Sequence, residues 1–233
     1  MMTVRRAVFF SLMAMLAGLS ACSGGRLKSG VYVRSGGVER PWKPRQILLL
    51  YPSVATDAVG TRDIATGTRP LMGSEMIALV HVNIRKFLGT PGPTRWKDAS
   101  EPAVSRERLA LLGTSIQREY RQRGVLPARV VGELYRASGS DAALMVSVFR
   151  YGRSNQKLLL RGVSGDVQKA GGTAPAGGWL NCGVKVTMIK TAQAAVAWEG
   201  CYLDSRPAED TLSQEEMVRD CVAKIMEAFP YLK

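Results

Sequence analysis

The run Ile47-Leu48-Leu49-Leu50-Tyr51, closed by Pro52-Ser53, has no polar position in either phase of a strand's two-residue period. Such a strand has to be covered on both faces, which requires a sheet held between layers of helix. The sequence supplies the helices. Ser74 precedes Met76, Ile77, Val80, Ile84, Phe87 and Leu88 at helical spacing, although the β-branched residues in Leu79-Val80-His81-Val82 keep a strand open as the rival reading. Ser105 to Arg123 places Leu109, Leu112, Ile116 and Tyr120 on one stripe, with Gly124 where a C-terminal cap belongs. Pro127 starts a further helix through Val130, Val131, Leu134 and Ala137, ended by Gly139. Ser213-Gln214-Glu215-Glu216 fits a capping box ahead of Met217, Val218, Cys221, Val222, Ile225 and Phe229.

The remaining apolar segments read as strands. Ala142 to Tyr151 is one, Leu158 to Val163 a shorter one, and Val184–Lys190 with Ala195–Leu203 forms a hairpin around Thr191-Ala192-Gln193-Ala194. The Gly-rich segment up to Gly73, residues 89–104 with Pro91, Pro93 and Pro102, and the Gly/Ala-rich stretch 165–178 read as loops, the last a mobile one. The order predicts an α/β fold with helices packed on a mixed β-sheet, an α/β sandwich.

Ahead of this domain, Arg5 and Arg6 precede an apolar stretch from Ala7 to Gly18 and then Leu19-Ser20-Ala21-Cys22. These are the parts of a secretory signal, too short for a bilayer span of about 20 apolar residues. The last four residues resemble a bacterial lipobox, which implies a diacylglycerol thioether and an N-acyl group on Cys22 and no other cofactor. Ser23 in the following position implies sorting to the outer membrane, facing the periplasm. The expected division is a signal peptide at 1–21, a lipidated basic tether at 22–44 and a single α/β domain at 45–233. The formal net charge is +13, and it stays strongly basic without Arg5 and Arg6. Between Arg26 and Arg45 six basic residues face one acid, Glu39, either lying along anionic headgroups or forming a solvated linker. Nucleic acid is excluded as the partner of an exported chain.

Cys182, Cys201 and Cys221 remain beyond the anchor. In an oxidising compartment two of them can pair, and strand parity points Cys182 and Cys201 to opposite faces unless a bulge at Gly200 intervenes, so the pairing stays open. Parity also sets Val184, Val186 and Met188 on one face, with Val196 and Trp198 expected to share it. The single histidine, His81, lies among apolar residues and reads as structural. No spacing fits a metal site, a phosphate-binding glycine loop or a pair of catalytic carboxylates. The segment 105–123 carries Arg106, Arg108, Arg118, Arg121 and Arg123, a solvated face or a contact surface for an acidic partner.

Three segments, Ile47-Leu48-Leu49-Leu50-Tyr51-Pro52, Ala137-Ser138-Gly139-Ser140-Asp141-Ala142 with the apolar strand after it, and Val196-Ala197-Trp198-Glu199-Gly200, together resemble a family of envelope lipoproteins. This is the group around CsgG, PelC and LpoB, whose core is similar to the N-terminal domain of TolB. The resemblance spans about residues 45–229 and implies a non-enzymatic adaptor that binds another envelope protein, often as a homo-oligomeric ring. The polar insertions at 53–73 and 89–104 depart from the family's spacing and bear on ring assembly more than on fold. The leading function is therefore an adaptor or scaffold in envelope assembly, secretion or polymer export, or cell-wall synthase activation. A basic polyanion- or wall-binding module is the second, and an enzyme of unrecognised type the third.

Overall fold

The computed structural model describes residues 25–26, 31–35, 42–54, 73–88, 95–98, 106–170, 173–175, 177–208 and 214–231. The signal peptide and Cys22 lie outside them. The strands are β1 (Gly25–Arg26), β2 (Tyr32–Ser35), β3 (Gln46–Leu49), β4 (Ser53–Val54), β5 (Arg95–Asp98), β6 (Ala142–Ser154), β7 (Leu158–Leu160), β8 (Val167–Lys169), β9 (Trp179–Lys190) and β10 (Ala195–Pro207). The helices are α1 (Gly73–Leu88), α2 (Arg106–Arg123), α3 (Ala128–Ser138) and α4 (Gln214–Glu227). The main sheet runs β1-β2-β10-β9-β6-β3-β5, with β4 pairing β6 beyond the end of β3. β3 is parallel to both β5 and β6, whereas β6, β9, β10, β2 and β1 are successively antiparallel. The fold is α/β, with four helices among the described residues packed on a mixed sheet, as the sequence predicts.

The double apolar face of β3 has the consequence expected of it. Ile47 and Leu49 join a core with Met76, Val80 and Ile84 of α1 and Val218, Val222 and Ile225 of α4. Leu48 and Leu50 point the other way, into a second core with Leu109 and Ile116 of α2 and Val131 and Leu134 of α3. Residues 79–82 are helical, because the buried side chains of α1 recur at Met76, Val80 and Ile84 and tertiary packing overrides the β preference of Val80 and Val82. Gly139 closes α3 at φ 67°, a conformation that glycine adopts without steric cost. Asp141 then accepts the backbone N–H groups of Arg45 and Gln46, each at 2.8 Å, and so sets the entry of β3 beside β6.

Several expectations change. The tether assigned to 22–44 contains a strand: β2 pairs β10 through Tyr32↔Cys201 and Arg34↔Glu199, and Val31 is fully buried. Residues 89–104 contain β5, an edge strand beside β3, and 165–178 contain β8, paired with β7. The bulge in the long hairpin falls between Val196 and Trp198 and not at Gly200. It turns Val196 onto the α2/α3 face and Trp198 onto the α1/α4 face, so the two do not share a side.

Trp198 and Phe229 meet edge to face at 5.1 Å between centroids. The indole lies across Gly200, where an added Cβ would come within 2.3 Å of the ring. Gly200→Ala is therefore expected to cost about 1–3 kcal/mol of strain, at about 2–4 °C of Tm per kcal/mol for a domain of this size. Thermal unfolding followed by circular dichroism checks this, and an unchanged Tm would contradict the packing of Trp198 over Gly200.

Candidate functional site

Two helices side by side span about 20 Å, roughly four strands at 4.8 Å spacing. On the α2/α3 face that cover reaches β3, β6 and the Ile189 end of β9. Beyond it the same face of β9, β10 and β2 is polar, with Lys185, Thr187, Glu199 and Arg34. Glu199 is 1 % exposed. A buried carboxylate is costly unless its lone pairs are filled, and here they are. Lys185 Nζ lies 2.8 Å from Oε1 and Arg34 Nη2 2.9 Å from Oε2. Tyr120 Oη and Thr187 Oγ1 donate to Oε1 at 2.9 and 3.3 Å. Burial, then the charge of Glu199, pushes the Tyr120 phenol above its usual range, so it remains a donor. The Lys185 ammonium also sits 5.6 Å from the centre of the Tyr120 ring.

Around this cluster opens a cavity of about 800 Å³. Its floor is the sheet, one wall is the C-terminal part of α2, and the opposite wall is the loop from Arg161 to Gly165 that joins β7 to β8. A register slip between Val148 and Arg150 in β6 brings both Phe149 and Arg150 to the rim, and the Phe149 ring lies close over Gly183. The lining carries five cationic side chains, Arg34, Arg121, Arg150, Arg161 and Lys185, against the single carboxylate of Glu199. Arg121 donates to Ser53 Oγ at 3.0 Å. Arg150 Nε is buried with no hydrogen-bond partner among the described residues. The arrangement attracts anions, and its one carboxylate is already engaged by two cations.

Of the arginines singled out in the sequence, Arg121 alone lines the cavity. Arg108, Arg118 and Arg123 are exposed elsewhere on α2, and the Arg106 side chain lies outside the described residues. His81 is buried in α1, stacked on Tyr51 at 5.3 Å between centroids. Among the described residues no three His, Cys, Asp or Glu side chains gather as a metal site, and no helix is long and apolar enough to cross a membrane. The three cysteines are free and buried. Cys182 and Cys221 share the α1/α4 core, the Cys221 thiol donating to the Cys182 carbonyl at 3.5 Å. Cys201 occupies the opposite face, across from Lys185, and burial raises its thiol to about 12. The sheet thus separates Cys201 from both others. Sequence reasoning missed Glu199, Lys185 and Arg34. The available signal was an acid between Trp198 and Gly200 in the otherwise apolar stretch Ala195–Leu203, where a charge survives burial only with partners.

No protein-family model matches the chain, and no curated protein matches it. Solved structures that superpose on it include the PelC dodecamer from Paraburkholderia phytofirmans, at 13% identity over 84% of this chain and 93% of that one with a TM-score of 0.42. Lipoprotein GNA1162 from Neisseria meningitidis superposes at 14% identity over 79% and 97%, with a TM-score of 0.38. The C-terminal domain of LpoB from Salmonella enterica does so at 11% identity over 71% and 87%, with a TM-score of 0.31. PelC and LpoB belong to the lipoprotein group that the sequence resembles.

Two outcomes are expected. Glu199→Gln leaves Lys185 and Arg34 without a counter-charge and should cost about 3–5 kcal/mol, as broken buried pairs do. Arg34→Ala, from a side chain 38 % exposed, should cost no more than about 1 kcal/mol. Urea unfolding of both variants checks the order, and equal losses would contradict the burial of the pair. Non-reducing peptide mapping of the native protein should recover Cys201 as a free thiol, and any intramolecular disulfide containing Cys201 would contradict its placement across the sheet from Cys182 and Cys221.

Proposed function

We propose that the chain is an outer-membrane lipoprotein, anchored through acylated Cys22 and facing the periplasm, that acts as a non-enzymatic adaptor in envelope assembly, export or wall-synthase activation. The observation that carries this reading is the place where the chain enters the sheet. Gly25 and Arg26 already pair with β2, so only three residues' advance separates Cys22 from the domain, at most about 11 Å of extended chain. Lipid on Cys22 holds the β1/β2 edge against the membrane, where a partner of the same membrane meets it. Two or more acyl chains make such an attachment stable. The cavity favours the second reading, a module that binds an anionic ligand, because its cations outnumber its carboxylate and that carboxylate is spent on charge pairs. The two readings are compatible, since an adaptor needs something to hold.

Replacement of Cys22 by Ser should shift the protein from the membrane pellet to the soluble fraction and abolish its role, with no change in Tm. Crosslinking in intact cells followed by purification of the lipidated form should recover a specific envelope protein, and its loss in the Cys22→Ser strain ties the partner to the anchor. A soluble Cys22→Ser form with full function would refute the reading.

A further inference from the structure

We propose that the cavity beside Glu199 binds a phosphoryl group carried on a small organic body, a phosphate mono- or diester. The inference rests on the reading of the cavity as a binding site and is independent of the lipid on Cys22.

Three guanidinium groups from separate elements carry it: Arg121 from α2, Arg150 from β6 and Arg161 from the β7–β8 loop. Arg34 and Lys185 are spent on Glu199, whereas these three have no carboxylate partner in the cavity lining. Among the described residues Arg121 has found only a neutral hydroxyl. Arg150 Nε has no acceptor among the described residues, so this guanidinium is not committed to a protein partner through that atom.

The number and direction of the donors select the anion. Each guanidinium offers five N–H groups in a planar fork. A carboxylate has two oxygens in one plane and is filled by a single fork, whereas a phosphoryl group presents up to three terminal oxygens tetrahedrally and accepts from forks on several sides. A phosphate monoester also carries about −1.5 to −2 charges, closer to the cationic excess of the lining than a single carboxylate. The cavity is larger than a phosphate ion, and Tyr32, Phe149 and Val163 make part of it apolar, which places the organic body of the ligand there. The headgroup of an anionic phospholipid and a soluble phosphorylated sugar share this chemistry.

The test uses the mature chain with Cys22→Ser, titrated calorimetrically with inorganic pyrophosphate and, as a control of similar charge, with tricarballylate. Pyrophosphate should bind saturably, at least tenfold tighter than tricarballylate, and Arg150→Gln and Arg161→Gln should each weaken it at least tenfold. Arg161 is exposed, so its variant tests the site even if Arg150→Gln does not fold. Vesicles of phosphatidylglycerol and of phosphatidylcholine then separate the two sources. Retention on the former alone, competed by pyrophosphate, assigns a lipid headgroup, and pyrophosphate binding without retention assigns a soluble ester. Absence of saturable binding, equal affinity for the tricarboxylate, or unchanged affinity in the Arg161→Gln protein overturns the proposal. Recovery of an envelope partner alongside a silent titration overturns the phosphoryl assignment and leaves the adaptor reading intact.

Discussion

One buried carboxylate organises the face of β9, β10 and β2 that α2 and α3 leave open. Glu199 takes donors from β2, β9 and α2, so a single side chain of β10 joins both neighbouring strands and a helix. Its burial is unfavourable in isolation and becomes tolerable through these donors, of which Lys185 is the more buried cation. The partners are thereby held in one arrangement, since withdrawing any one of them leaves charge or hydrogen-bonding capacity unmet. Apolar packing fixes position loosely, whereas a filled set of hydrogen bonds fixes direction as well. That is why the cavity walls can be preorganised around a floor made of charged side chains.

The same strands serve two solvents. Along β10, Trp198 faces the α1/α4 core while its neighbour Glu199 faces the cavity, and along β9 Val184 and Val186 alternate with Lys185 and Thr187. The two-residue period of a strand makes this possible, and bulges adjust its phase. In β10 the bulge before Trp198 moves the indole from the side of Val196 to the side of Phe229. In β6 the slip before Arg150 brings two successive residues to the cavity rim. The bulges thus supply both the largest core side chain and one of the guanidinium groups that line the cavity.

What the sequence makes legible follows from how local each cause is. The double apolar face of Ile47–Leu50, the stripe from Leu109 to Tyr120 and the stop at Gly139 are settled by neighbours a few residues apart, and the helices and central strands are legible for that reason. β2 and β5 are not, because Tyr32-Val33-Arg34-Ser35 and Arg95-Trp96-Lys97-Asp98 are short and polar. Their strand state comes from a ladder supplied by distant chain, β10 for the one and β3 for the other. The site is less legible still. The Arg34–Glu199 pair spans 165 residues, and nothing near either residue announces the other. The arginine density of α2 drew attention to the right helix, but only the residues turned toward the sheet, Gln117, Tyr120 and Arg121, reach the cavity.

β2 also links the two parts of the functional reading. With Cys22 lipidated as proposed, the first described strand lies within a few residues of the bilayer, and Arg34 follows on the next strand with its guanidinium on Glu199. Anchor and cavity therefore share one element, and the chain before β3 is a strap across the sheet edge as well as a tether. Four residue pairs and one ion pair hold β2 to β10, far fewer than join β9 to β10 along the hairpin. Local opening free energies scale with such attachment, so β1 and β2 are released by a pull from the membrane more easily than the β9–β10 hairpin. Release of β2 would withdraw Arg34 from Glu199 and remove Tyr32 from the cavity wall. Through Tyr32 and Arg34, β2 thus belongs both to the outer part of the sheet and to the lining of the cavity.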